Sequence, residues 1–105
     1  MRKHKYNAKP KIVDGIRFAS TREAKRYAEL KLLYRAGKIN SLEVQPKYPL
    51  EVNGVKICTY IGDYRYFDHV GILHVEDVKG VITPIFKIKA KLMWACYKIN
   101  VEVIP

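Results

Sequence analysis

Long apolar runs, cysteines and acidic residues are all scarce in this sequence, and each shortage excludes something. No apolar stretch approaches the ~18 residues of a membrane-crossing helix, because Lys or Gly interrupts the longest ones. The two cysteines, Cys58 and Cys96, match no metal-ligand spacing and make no disulfide framework. They read as small core residues in a reducing compartment. The basic start, Met1-Arg2-Lys3-His4-Lys5-Tyr6, has no apolar segment behind it and does not read as a secretory signal. The expected location is the cytoplasm. No repeat, low-complexity tract or linker divides the 105 residues, so one domain is expected.

The acidic shortage is the most informative. Asp and Glu number 10 against 20 Lys and Arg, a formal charge of +10. Such an excess on a small domain concentrates polyanions and speeds their encounter. Nucleic acid is the leading partner by this argument, and an anionic membrane surface the second. What the chain does have is 49% hydrophobic residues, 11% of the total being aromatic, which is too rich for a disordered chain and enough for one modest core.

Residues 1–11 read as a basic arm and residues 12–105 as the domain. A short hairpin is expected over 11–18, with Asp14-Gly15 supplying the positive φ angles of a tight turn. Ser20-Thr21-Arg22-Glu23 is a capping box that opens a helix running to about Ala36, and Gly37 stops it. A strand over 42–52 is interrupted at Pro46 and Pro49, and Asn53-Gly54 turns it back along 55–60. Strands follow at 61–67 and 72–79. Thr83 and Pro84 open a second helix to about Lys98, and residues 99–103 alternate as a closing strand. The sum is a mixed α/β (α+β) domain, with the last strand joining a central one in parallel through a right-handed crossover.

The chemistry centres on Asp63 and on Glu76-Asp77-Val78-Lys79-Gly80. Asp77 and Lys79 are two apart on a strand and leave one face, whereas Glu76 and Val78 leave the other. Asp63 lies one strand back. Two adjacent carboxylates repel unless a cation bridges them, and Mg²⁺ suits one or two carboxylates, waters and a phosphate oxygen. Lys79 beside such an ion could hold water or phosphate and offset developing charge. Glu23 shares a helix face with Tyr27, Leu30 and Tyr34, while Lys25, Arg26 and Glu29 fall on the wet sides. Two readings of Glu23 stand: a third acid facing the sheet, or a capping-box residue bonded back to Ser20.

Glu on the first helix, Asp on one strand and Asp-x-Lys on the next together resemble the PD-(D/E)XK nuclease superfamily. The strings Lys5-Tyr6-Asn7-Ala8-Lys9, Val13-Asp14-Gly15-Ile16, Ser20-Thr21-Arg22-Glu23-Ala24, Gln45-Pro46-Lys47, Asp63-Tyr64-Arg65-Tyr66, residues 76–80, and Thr83 followed by Phe86-Lys87 resemble its small phage-encoded members, which include junction-resolving endonucleases. The resemblance spans nearly the whole chain. It implies a restriction-endonuclease-like αβββαβ core after the hairpin, and a DNA endonuclease dependent on Mg²⁺, for which Mn²⁺ would substitute. Asp63 and Asp77 would ligate the metal with the Val78 carbonyl, Glu23 would assist directly or through water, and Lys79 would position the nucleophile. Gln45 is a supporting candidate, with a polar edge-strand residue as the alternative. Gly62 stands where the motif has Pro, and Asp77 where many members carry Glu.

On the second helix Lys87, Lys91, Trp94 and Lys98 share one face, which fits either a phosphate-tracking row or a solvated surface. Lys89 falls beside Ile85, Leu92, Met93 and Cys96, residues expected to be buried. It either snorkels or points toward the cleft of Lys79. Lys3 and Lys5 in the arm are further DNA-binding candidates. His4, His69 and His74 form no site. The expected protein is therefore a junction-resolving (Holliday-junction) nuclease acting in phage recombination or packaging. A homodimer is implied, because cutting both strands symmetrically takes two sites. The rivals are a non-catalytic DNA-binding module and a recombinase or transposase accessory subunit.

Overall fold

The structure, a computed structural model, describes residues 10–105. Strands β1 (Lys11–Val13) and β2 (Ile16–Phe18) form the expected hairpin, with Asp14 and Gly15 both at positive φ. Lys11 thus belongs to a strand, not to the arm. Helix α1 (Thr21–Arg35) starts where the capping box puts it, with the Ser20 hydroxyl accepting the Glu23 N–H. It is followed by β3 (Ile39–Val44), β4 (Lys47–Val52), β5 (Val55–Ile61), β6 (Tyr64–Asp68), β7 (Leu73–Val78), α2 (Pro84–Tyr97) and β8 (Glu102–Ile104).

The main sheet has the order β3-β6-β7-β8. The first three strands are antiparallel in turn, and β8 returns through α2 to lie parallel to β7, an inner strand. The mixed α/β class expected from the sequence is therefore the class observed.

Two of the expected strands are divided, and for one reason. Residues 42–52 break at Gln45-Pro46 into β3 and β4, and residues 61–67 break at Gly62-Asp63. The breaks face each other: the Gln45 N–H donates to the Asp63 carbonyl (2.9 Å) and the Gly62 N–H to the Pro46 carbonyl (3.0 Å). One long hairpin is bent there, so that β4-β5 leaves the main sheet as a separate two-stranded arm. Gln45 takes a positive φ of 56°, and Pro46 cannot donate to a ladder, so the strand turns instead of continuing. A Cβ on buried Gly62 would stand only 3.4 Å from the Tyr60 and Val75 side chains.

The helices cover opposite faces of β7. On the α1 side, Phe18, Tyr27, Leu30, Tyr64, Tyr66 and Val78 pack together. On the α2 side, Leu50, Tyr60, Val75, Phe86 and Met93 do so. Tyr64 and Tyr66 are thus packing residues. The final strand starts at Glu102 rather than 99, because Ile99 and Val101 pack onto the α2-side core. Ile85 does not join that core. It is 63% exposed, since α2 turns Phe86 and Met93 to the sheet. Tyr34, placed by periodicity on the inner stripe of α1, is 48% exposed near the helix end.

Arg26 departs furthest from its expected wet position. Its guanidinium grips Glu76 with two hydrogen bonds, Nε to Oε1 (2.8 Å) and Nη2 to Oε2 (2.7 Å), while Glu76 is 1% exposed. Tyr66 donates its hydroxyl to the same carboxylate. A carboxylate on the α1 face of an inner strand needs such partners, and Arg supplies them from the neighbouring helix. No helix among the described residues is long and apolar enough to cross a membrane.

Candidate active site

Alternation along β7 sends Asp77 to the face opposite Glu76, at the carboxyl end of the strand. Asp77 is 5% exposed. Its Oδ2 accepts the Tyr60 hydroxyl at 2.6 Å, and its Oδ1 lies 3.4 Å from Lys79 Nζ. Burial, and then the bond to Asp77, push the Tyr60 hydroxyl far above its ordinary range, so it stays protonated and acts as a donor. Lys79 follows the last residue of β7. Its N–H continues the parallel ladder to the Ile104 carbonyl (2.9 Å), and its ammonium stands 4.8 Å from the Phe86 ring centre.

Asp63 enters from the bend. Its N–H donates to the Glu76 carbonyl (2.9 Å), its carbonyl accepts from Gln45, and its Oδ2 accepts the Val78 N–H at 2.6 Å. Burial drives its pKa up to about 7, against the pull of the Val78 N–H. The charges of Glu23 and Asp77 push the same way, while Lys79 opposes them. Glu23 stands in the first turn of α1, which is pinned to β6 by the Tyr64 hydroxyl donating to the Glu23 carbonyl (2.6 Å). Burial raises the Glu23 carboxyl first. Ala19 and Ser20 pull it back, and the Asp77 charge adds to the rise. Glu23 therefore belongs to the helix cap through its N–H, and its carboxyl is raised mainly by burial.

Asp63, Asp77 and Lys79 are thus gathered at the carboxyl end of β7, and Glu23, in the first turn of α1, lies near enough for its charge to act on Asp63. Gln45 is held beside them through its backbone, with an exposed side chain. On α2, Lys87 and Lys91 are exposed and Lys89 is half-buried. Among the described residues, none of the three forms an ion pair with the acids. Lys98 has left the helix: it is the left-handed cap, with its ammonium over the Trp94 ring. Lys3 and Lys5 lie outside the described residues.

Two contributors escaped the sequence reading. Tyr60 sits on β5, where nothing in the local pattern ties it to Asp77, seventeen residues later. Arg22 was legible only as a capping-box filler, yet its guanidinium occupies the space beside Gly80: a Cβ there would fall 2.6 Å from Arg22 Nη1.

Among the described residues, no three His, Cys, Asp or Glu side chains close around one point as a metal cage. Mg²⁺ does not need one, since it takes one or two carboxylates and fills its octahedron with water and phosphate oxygen. Asp63 has one oxygen engaged by the Val78 N–H, which leaves Oδ1. Burial first, and then the charges of Glu23 and Asp77, hold the Asp63 pKa up at about 7, and a cation beside it would favour the charged carboxylate. The donor set therefore fits a hard, oxygen-seeking divalent ion.

No curated protein and no solved structure matches the chain. A family model does, over residues 3–104, under the description "Protein of unknown function (DUF1064)". With nearly its whole length matched, the chain belongs to the DUF1064 family.

Proposed function

We propose that this protein is a divalent-metal-dependent DNA endonuclease. The observation that carries the reading is the juxtaposition of Asp63, Asp77 and Lys79 at one strand end, with the charge of Glu23 acting on Asp63, in a chain of charge +10. Their order along the sequence resembles the PD-(D/E)XK nucleases, which supports the same chemistry. Asp63 and Asp77 would hold Mg²⁺ or Mn²⁺, with Glu23 reaching it directly or through water. The ion, when bound, lowers the pKa of water and neutralises charge developing on the phosphate. Lys79 orients the attacking water or the phosphate from beside Asp77, while Tyr60 keeps Asp77 in one orientation.

Branched DNA in phage recombination or packaging is the substrate we favour. A two-fold dimer in the host cytoplasm would present one site to each strand. Lys87, Lys89 and Lys91 on α2, with Lys3 and Lys5, are the candidate phosphate contacts. The rival is a non-catalytic DNA-binding module, which the charge of +10 supports equally well.

Cleavage of end-labelled duplex, single-stranded and four-way-junction DNA separates the two, in Mg²⁺, Mn²⁺ or EDTA. Wild type should cut in metal, and Asp77→Asn should bind DNA at least as well without cutting. Binding of all three DNAs by wild type with no cutting in either metal would establish the binding module instead.

A further inference from the structure

A cavity of about 380 Å³ opens on the α1 side of the β7 end, around the corner from the acids, and is lined by Arg22, Lys25, Arg26, Glu29, Val78 and Ile104. Four of these carry charge, and two of the four are already spent on each other. Arg26 bonds Glu29 (2.9 Å) as well as Glu76. Arg22 and Lys25 have no carboxylate within ion-pairing distance among the described residues. The cavity therefore presents two uncommitted cations over an apolar floor of Val78, which lies between Asp77 and Lys79 in the chain, and Ile104 on the neighbouring strand.

Gly80 decides where one of those cations stands. The Arg22 guanidinium lies so close that any side chain at 80 would displace it. Arg22, an exposed side chain, thus stands beside the strand end at the cavity, and among the described residues none of its five donors is used by the protein.

We propose that Arg22 and Lys25 form a phosphate subsite for the bound polynucleotide, next to the phosphate that is cut, and that Gly80 is present to leave room for Arg22. This rests on the nuclease reading above and adds a second contact surface on α1, distinct from the lysines of α2. A strand crossing the end of β7 over the acids reaches this cavity with its neighbouring phosphate. The planar fork of Arg22 matches two phosphate oxygens, and Lys25 adds a point charge.

The test measures DNA affinity against salt in EDTA, so that no cutting intervenes. Its chains are wild type, Arg22→Ala, Lys25→Ala, Gly80→Ala, Arg22→Ala/Gly80→Ala and a control, Lys38→Ala, at the far end of the sheet. Arg22→Ala is expected to weaken binding about fivefold to tenfold near 0.1 M salt, and to reduce the slope of log K against log salt by about 1. Gly80→Ala should weaken binding in the same direction yet add nothing on top of Arg22→Ala, because it acts only by displacing that side chain. Oligonucleotides with 5′-hydroxyl and 5′-phosphate ends distinguish the source of the phosphate: an effect with both assigns an internal phosphodiester, and an effect with the latter alone assigns a terminus. Wild-type affinity and slope in both Arg22→Ala and Lys25→Ala would overturn the subsite, while metal-dependent cutting by wild type would leave the nuclease reading standing. Absence of DNA binding by wild type would overturn both.

Discussion

Asp63 Oδ2 accepts the backbone N–H of Val78 at 2.6 Å, so the acid at the bend of the long hairpin is fastened to β7 one residue beyond Asp77. The bond sets the distance between the two acids by main chain. It also gives Asp63 a structural duty beside any chemical one. Asp63→Asn can keep that duty, because the amide oxygen still accepts the Val78 N–H, whereas Asp63→Ala leaves a half-buried donor unpaired. Both should lose metal-dependent cutting. Urea unfolding should show Asp63→Ala less stable than Asp63→Asn by about 1–3 kcal/mol. Equal stability of the two would show that the bond contributes nothing.

Tyr60→Phe removes one hydrogen bond, the 2.6 Å bond to Asp77, without emptying any volume. Asp77 is then left buried with Lys79 as its remaining partner. A loss of about 1.5–3 kcal/mol in stability is expected, as for hydrogen bonds to charged groups. If Tyr60 positions Asp77, kcat should fall more than KM rises; an unchanged kcat would reduce Tyr60 to packing.

Arg26→Ala strands Glu76 as a buried carboxylate with only the Tyr66 hydroxyl beside it. Breaking a buried pair in this way costs about 3–5 kcal/mol, and the low end applies because Arg26 itself reaches solvent. Thermal denaturation would read this as a fall in Tm of roughly 10 °C or more for a domain this small. The double change Arg26→Met/Glu76→Leu should be much less damaging than Arg26→Ala. A double variant as unstable as the single would mean that lost packing is responsible.

His74 bridges two carboxylates, Asp68 from Nε2 (2.8 Å) and Glu102 from Nδ1 (2.6 Å), which ties the β6-β7 turn to the outer strand β8. Both ring nitrogens donate, so the imidazolium is the form that fits. Asp68, then Glu102, hold His74 above its ordinary 6.5, and Asp68 is in turn held down at about 2, mainly by the His74 bond. A raised histidine stabilises the fold fully below pH 6.5 and loses that contribution as pH rises through its folded value. The Asp68 contribution is present above pH 3.8 and fades as pH falls toward 2. The His74 contribution should therefore decline from about pH 6.5 into the alkaline range in wild type, and His74→Gln should flatten that decline. An identical profile in the variant would exclude His74 as its source.

Local chemistry was readable without the fold. The Asp14-Gly15 and Asn53-Gly54 turns, the Ser20 and Thr83 caps and the stop at Gly37 depend on residues adjacent in the chain, and each lies where its sequence puts it. The alternation that separates Asp77 from Glu76 is equally local. So is the charge of +10, which needs no structure to favour a polyanion.

What required the tertiary structure is every relation across chain distance. Pro46 read as an interruption and Gly62-Asp63 as part of a continuous strand, and only the pairing of the two segments reveals one bent hairpin that carries Asp63 to β7. Helical periodicity put Arg26 in water. A buried acid fifty residues away turned it inward, because an unpaired carboxylate in the core costs more than ordering an arginine. Periodicity records which residues share a face, while the partner that each face meets is set by folding. The contacts of Asp77 with Tyr60, of Asp63 with Val78 and of Arg22 with Gly80 are decided there.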